Sequence, residues 1–403
     1  MRVLLVTAVP VTEDAAPFGG GMSVRLAQWC TELGARHEVR VVTGTPHPHT
    51  VTGAPVTVYA AAPVAAVQGT LPSFAPCWSN ARLLWQGVAW SDVVVCTFHD
   101  VIAPTVLLAR VLRKPVLFNL HTDCRGWALR GVARALPDLD TVQRWLTRGV
   151  QCVGSAGGAR DRADRRARGF RVDLHYAPVA VPPVPQLGEA SAALLSSGCG
   201  QRRVALWAGR WSRDKRVPLL AAAMQHVPDT TLVVVGDGVE PLEQLRSPHC
   251  VVRRGWVPRR ELQALIAAAD VVVNACDSET FGNLCHEARA QGTAAIVQAA
   301  GGHLQQRGPG VCLVDFEDRA QVAAAFAAAG SIEEAAGAAA ASSIEEAVLW
   351  AAHSPRNRGV AGVLWACVVM AVWCALHTAR MACAPFQRSP PHARSRDEAA
   401  ARS

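Results

Sequence analysis

At 403 residues the chain exceeds what one hydrophobic core usually supports, so two domains of ordinary size are expected. Half of its residues are apolar, which excludes a disordered chain and is enough for buried parallel sheets. The net charge of +8 suits phosphorylated ligands, an anionic membrane or plain solvated arginine, while thirteen scattered cysteines without a CxxC pair exclude a disulfide framework or zinc site.

The chain opens on Met1-Arg2-Val3-Leu4-Leu5-Val6, too short for a signal-peptide core and without a cleavage site, so it reads as a first buried strand. Phe18-Gly19-Gly20-Gly21-Met22-Ser23 follows and precedes a helical stretch. Glycines there can present backbone N–H groups to a phosphate, although a glycine-rich turn alone is equally a flexible loop. The full GxGxxG pattern with an acidic residue about twenty positions on is missing, which disfavours a nicotinamide cofactor.

β-Branched runs at 39–43, 92–97, 115–120 and 150–153 alternate with alanine- and leucine-rich stretches, the pattern of a parallel α/β sheet. Leu120-His121-Thr122-Asp123 falls at the end of one such run, where a lone histidine is more often structural. Arg160, Arg162, Arg165, Arg166, Arg168 and Arg171, with Asp161 and Asp164 interleaved, are either a solvated helix face or a surface for phosphate or membrane. The pattern then breaks at Ala177-Pro178-Val179-Ala180-Val181-Pro182-Pro183-Val184-Pro185 and a Ser/Ala/Gly stretch, an extended connector. Strand-like runs resume at 203–207, 231–235, 271–273 and 294–297.

Directly after the first of these lies Ala208-Gly209-Arg210-Trp211-Ser212-Arg213-Asp214-Lys215. A planar guanidinium fork beside an ammonium suits the charges of a diphosphate, although an Arg/Lys pair in a loop is usually just solvated. Asp277-Ser278-Glu279-Thr280-Phe281-Gly282-Asn283-Leu284-Cys285-His286-Glu287-Ala288 follows another strand-like run and opens a helix. Peptide N–H groups around Gly282, Asn283 and Leu284 would face the crevice at the strand ends, where an anion binds well. Glu279 lies in the loop and Glu287 inside the helix, so the two carboxylates can accept hydrogen bonds from hydroxyls on different parts of one extended ligand.

This segment, with Gly292 and Gly301-Gly302 beyond it, resembles the Glu-x7-Glu signature of the family-4 retaining glycosyltransferases. The resemblance covers roughly residues 1–325 and is strongest from 203 to 302. It implies an α/β GT-B fold, two Rossmann-like domains facing a cleft. It further implies that Glu279 meets the donor sugar, Glu287 the nucleotide ribose, Phe281, Gly282, Asn283 and Leu284 the phosphates, and Arg210 and Lys215 the diphosphate. Gly20 and Gly21 resemble the loop that closes on the donor, and His121 the histidine kept near the donor sugar, in a His-Thr-Asp form similar to glycolipid-making sulfoquinovosyl- and mannosyltransferases. Val233 to Gly238, and Gly255-Trp256-Val257-Pro258 with Leu262 to Asp270, resemble the family's donor domain, which implies strand-end turns around the nucleotide base. Gly154-Ser155-Ala156-Gly157-Gly158 is looser than the family's serine-containing turn.

Residues 323–352 are alanine-dominated, of high helix propensity, and contain Ser-Ile-Glu-Glu-Ala twice. From 359 to 376 run eighteen uncharged residues between arginines, which as a helix would extend roughly 27 Å, just enough for a hydrocarbon core of about 30 Å. A buried amphipathic helix is the competing reading.

The expected organisation is an acceptor-side domain over 1–180, a linker over 181–202, a donor domain over 203–352, a transmembrane helix over 359–378 and a polar tail over 379–403. The expected function is that of a retaining hexosyltransferase moving a sugar from a UDP- or GDP-linked donor to a hydroxyl acceptor, a lipid or membrane-associated glycan. No paired-aspartate motif sits at a strand end, so neither a metal nor another cofactor is implied, and no nucleic acid partner is expected. The protein is expected at a membrane with its catalytic domains cytosolic. The alternatives are a transferase for soluble glycans, a catalytically silent sugar-nucleotide-binding subunit and, more distantly, a redox Rossmann protein.

Overall fold

Val3, Leu4, Leu5 and Val6 are all fully buried, which consecutive strand residues achieve only when helices cover both faces of their sheet. The computed structural model describes residues 1–7, 9, 11, 20–44, 56–61, 63–64, 73–74, 77–97, 99–121, 139–148, 150–182, 202–236, 245, 250–255, 257–329 and 343–354. Its first unit contains β1 (Arg2–Thr7), α1 (Gly20–Gly34), β2 (Glu38–Thr43), β3 (Val56–Ala60), the short pair β4 (Pro63–Val64) and β5 (Ser73–Phe74), α2 (Trp78–Trp90) and β6 (Val93–Cys96). It continues with α3 (His99–Val111), β7 (Val116–Leu120), α4 (Leu139–Thr147), β8 (Cys152–Ser155), α5 (Gly158–Ala167) and β9 (Leu174–His175). The second unit contains β10 (Arg203–Ala208), α6 (Val217–Met224), β11 (Thr230–Gly236), β12 (Cys250–Arg254), α7 (Arg259–Ala268), β13 (Val271–Asn274), α8 (Asn283–Ala290), β14 (Ala294–Gln298), β15 (Val311–Val314) and α9 (Arg319–Ala328). Helix α10 (Ile344–His353) ends the described chain.

Two parallel sheets result, in the orders β3-β2-β1-β6-β7-β8-β9 and β12-β11-β10-β13-β14-β15. Strand order reverses once in each, between β1 and β6 and between β10 and β13. In an open parallel sheet this is where a crevice opens beyond the strand ends, because neighbouring loops leave toward opposite faces. The runs singled out in the sequence are the central strands. Edge strands β3 and β15 are only partly covered, so they lack the continuous apolar composition that makes central strands visible.

In the first unit α2 and α3 pack against Leu4, Val6, Val94 and Phe118, while α1 lies on the other face against Val3, Leu5 and Val95. In the second, α6 and α9 cover one face and α7 and α8 the other. Helix α10, which the sequence reading counted with the second unit, packs on the first. Its Ile344, Ala347, Val348 and Ala351 recur at helical spacing and are fully buried beside α1 and β6 to β8. Ser343 and Glu346 of the second Ser-Ile-Glu-Glu-Ala copy form a reciprocal capping box that starts it. The first copy lies outside the described residues, as do 183–201 of the linker and all of 355–403, including the uncharged run at 359–376. Among the described residues no helix is long and apolar enough to cross a membrane.

The arginine cluster is largely spent inside the fold. Arg165, fully buried, meets Asp161 at 2.7 Å, Arg168 bridges Asp140 at 2.7 Å and Asp164 at 3.1 Å, and Arg171 pairs with Asp173 at 3.0 Å. Arg162 and Arg166 donate to the carbonyls of Asp173 and Val172. Arg162 and Arg166 thus fasten α5 to the segment entering β9, Arg168 ties the end of α5 to α4, and Arg160 is left exposed.

Burying a carboxylate in the α10 contact removes that helix from the first sheet. Val348→Asp is expected to cost on the order of 3 kcal/mol. Hydrogen exchange should show protection lost in α1 and retained in α8; the reverse pattern would place α10 with the second unit.

Candidate active site

The crevice at the β10/β13 reversal is lined by the loops that leave those two strands. After β10 the chain makes a single 3-10 turn, Arg213–Lys215, and Arg216 takes a left-handed conformation at φ 50°. A left-handed non-glycine residue is costly and persists only where its surroundings fix it. Arg216 is fixed by Asp277 at 3.6 Å, which docks the turn on the loop after β13, and by a short ion pair to Glu317, which ties it to the loop between β15 and α9.

The docking brings Lys215 Nζ to 2.6 Å from Glu279 Oε1, with Asp214 Oδ2 and Cys276 Sγ each at 3.7 Å. Asn274 Nδ2, at the end of β13, donates to the same Glu279 oxygen at 3.4 Å. Burial by itself would raise the Glu279 carboxyl, but the Lys215 charge, His303 and these hydrogen bonds outweigh it and hold the group down at about 2. Burial likewise opposes the Lys215 charge, and Glu279, Cys276 and Asp214 reverse that and raise its pKa. The Cys276 thiol is pushed up to about 11, first by burial and then by Glu279, so it stays protonated at neutral pH. Arg210, in the same loop as Lys215, forms no ion pair or hydrogen bond among the described residues.

Gly282 stands at the N-cap of α8 with φ 90°, a left-handed conformation that favours glycine. A side chain there would begin 2.7 Å from the His303 ring. No side chain caps α8 and its first turn has no acidic residue, so the N–H groups of Asn283, Leu284 and Cys285 remain available to an anion. Asn283 Oδ1 and the ring nitrogens of fully buried His303 lack a hydrogen bond of ordinary geometry. Burial lowers the His303 pKa, and Glu279 only partly opposes that. Glu287 is 5% exposed; Arg259 Nη1 donates to its Oε1 at 2.9 Å and Gln263 Nε2 to its Oε2 at 3.0 Å.

The first unit closes over this rim. Gly21, at the start of α1, faces the Asn283 side chain so closely that a Cβ on it would lie 2.3 Å from Nδ2. Gly157 and Gly158 meet Thr280, Phe281 and Gln305, and Gln305 Nε2 donates to the Gly157 carbonyl at 2.7 Å. The loose glycine turn at 154–158 is therefore a contact between units, where side chains would hold them apart. Gly20 begins the same helix as Gly21, and His121 directly follows β7 with its ring 5.5 Å from that of Trp29 on α1. The fold thus gathers Gly21, Glu279, Phe281, Gly282, Asn283 and Lys215 about one crevice. Thr122, Asp123, Asp237, Gly238 and Trp256 lie outside the described residues.

Asn274, Cys276, His303 and Arg259 carry no assigned role in the sequence, and Gln263 lies in the segment 262–270 without a role of its own there. Arg259 follows the singled-out Val257-Pro258, but an arginine opening a helix reads as solvated until its partner is seen. Among the described residues no group of three or more His, Cys, Asp or Glu side chains is placed to hold a metal ion.

Two parallel α/β units that close on a crevice at their strand ends define the GT-B class of glycosyltransferase fold. Solved structures share it. Anabaena Alr3699/HepE, solved with UDP and glucose, matches 95% of this chain and all of its own at 15% identity and a TM-score of 0.61. Sucrose-phosphate synthase of Thermosynechococcus elongatus matches 95% of this chain and 99% of its own at 17% identity and a TM-score of 0.58. Residues 202–329 match the family model of the glycosyl transferases group 1. Sulfoquinovosyl transferase SQD2 of Arabidopsis thaliana is 32% identical over 110 residues, 27% of this chain and 22% of that protein. D-inositol 3-phosphate glycosyltransferase of Xylanimonas cellulosilytica is 30% identical over 215 residues, 47% of this chain and 51% of that protein. The chain thus spans about half, or less, of the curated relatives it matches.

The depressed Glu279 carboxyl makes the pair a pH-dependent support. Its contribution is complete above the ordinary value of 4.5 and is lost as pH falls from there through about 2. Glu279→Gln leaves Lys215 without its closest counter-charge. The expected loss is roughly 2 kcal/mol, less than for a fully buried pair because the side chains are 22% and 19% exposed. Urea unfolding should show that gap constant between pH 5 and 9 and closing toward pH 2; an unchanged gap at pH 2 would count against the pair.

Proposed function

We propose that the protein is a retaining hexosyltransferase that moves a sugar from a nucleoside-diphosphate donor, UDP- or GDP-linked, to a hydroxyl acceptor. The observation that carries this reading is the Lys215–Glu279 pair beside the open N-terminus of α8 at the strand-order reversal. The crevice supplies fixed positive charge for a diphosphate and, within 2.6 Å of it, an ionised carboxylate for sugar hydroxyls. The group 1 domain and a neighbour solved with UDP and glucose support the same donor class.

In the reaction the acceptor oxygen attacks the anomeric carbon from the face that the diphosphate leaves. The bond from that carbon to the diphosphate oxygen breaks, the diphosphate keeps the electron pair, and its oxygen takes the acceptor's proton. Arg210, Lys215 and the N–H groups of Asn283 and Leu284 offset the charge that builds on the leaving group. Glu279 orients the donor sugar, Glu287 the ribose and Phe281 and Gly282 the phosphate loop. Gly20, Gly21 and His121 close on the donor from the first unit. The protein-borne charges carry the neutralisation, and no metal is required.

The acceptor in this reading is a lipid or membrane-associated glycan. The uncharged run at 359–376, with arginines on either side, supports an anchor in the bilayer. The catalytic units then face the cytosol, where nucleotide sugars are made.

Lys215→Ala and Arg210→Ala are each expected to lower turnover about 100-fold or more, the scale of removing one charge-stabilising group. The assay is release of nucleoside diphosphate from UDP- and GDP-hexoses by the folded variants, with wild-type activity persisting in excess EDTA. Full turnover in both variants would remove the diphosphate assignment. Full-length protein is expected to stay with membranes in alkaline carbonate, and a chain ending at 355 is expected to be released. Wild-type protein that washes off would end the anchor reading.

A further inference from the structure

The connector between the units is stitched to both of them at 177–182. On the first-unit side, Arg25 Nη1 donates to the Ala177 carbonyl at 2.8 Å, and Gln28 exchanges two hydrogen bonds with Ala180 at 2.9 and 3.1 Å. From the second unit His286 Nε2 lies 3.2 Å from the Val179 carbonyl, and Gln291 Nε2 donates to Pro182 at 3.0 Å. Arg259 Nη2 meets the Ala180 carbonyl at 3.3 Å while its Nη1 holds Glu287 at 2.9 Å. One guanidinium therefore joins the connector to the carboxylate of α8. Among the described residues Glu287 has a single protein donor on each oxygen, Arg259 on one and Gln263 on the other. Each carboxylate oxygen offers two acceptor directions, so one remains on each, a pair matched to the two hydroxyls of a cis-diol.

We propose that Arg259 is a positioning residue that sets Glu287 for a ribose cis-diol and transmits occupancy of that diol site to the connector at Ala180. The proposal rests on the nucleotide reading of the site. A fork with two separated donors is required, because a lysine ammonium can follow Glu287 but cannot hold Ala180 in the same geometry. When ribose hydroxyls share Glu287, the Arg259 plane is fixed at one end and the Ala180 contact tightens at the other.

The test uses the full-length protein with UDP and GDP, each compared with its 2′,3′-dideoxy form by titration calorimetry. Wild type is expected to prefer the ribose form by about tenfold or more, the scale of a hydrogen bond to a charged group. Arg259→Gln should shrink that preference to about threefold or less, whereas Arg259→Lys should keep most of it. Amide exchange at Ala180 is read in parallel: nucleotide should slow it in wild type and leave it unchanged in Arg259→Lys. Should Arg259→Gln fail to fold, the lysine variant carries the test through its exchange readout. Ribose preference intact in Arg259→Gln, or nucleotide protection of Ala180 intact in Arg259→Lys, overturns the proposal and leaves the nucleotide reading standing. Wild type that binds neither UDP nor GDP overturns both.

Discussion

The contact between Lys215 and Glu279 constrains the rest of the second unit. A partly buried ammonium and carboxylate are tolerated only together, since either alone faces the desolvation cost without its partner. To bring them within 2.6 Å, the turn after β10 must fold onto the loop after β13. That requires the two strands to be neighbours, which they are because strand order reverses there. The left-handed Arg216, its ion pairs and the Asn274 hydrogen bond all follow from holding that geometry.

The second constraint is closeness between units. Glycines at 21, 157 and 158 sit where a Cβ would meet Asn283, Thr280 or Asp161, and Gln305. Where glycines line the contact, the first unit approaches the loop before α8 more closely than side chains would allow, and the first N–H groups of α8 are left uncapped. Helix α10 adds a second tie, since the chain leaves the second unit after α9 and buries its last described helix on the first sheet. Among the described residues the connector at 177–182 and α10 therefore tie the units together in addition to the contacts of Gly21 with Asn283 and of Gly157 with Gln305.

The basic character of the chain divides into two populations. Arginines of α5 and the loop after it neutralise aspartates and carbonyls of the first unit. Arg210 and Lys215 stand at the crevice, one without a counter-charge among the described residues and one paired with a carboxylate. Net charge could not separate these populations, because an arginine paired inside the fold and one without a counter-charge count alike.

The central strands, the break at the connector and the placement of the two richest loops at strand ends were legible in the sequence. Continuous β-branched runs have few alternatives to a buried parallel strand, and glycines that follow such runs mark the turns at the strand ends through local geometry alone. Tertiary structure decided what depends on partners far along the chain. Residues 215 and 279 became an ion pair, Arg259 and Gln263 became the holders of Glu287, and the glycines at 157–158 became a contact between units. It also decided which sheet α10 covers. Its apolar stripe at 344, 347, 348 and 351 fits any helix-covered sheet equally well, and only the path of the chain back to β6–β8 selects the first.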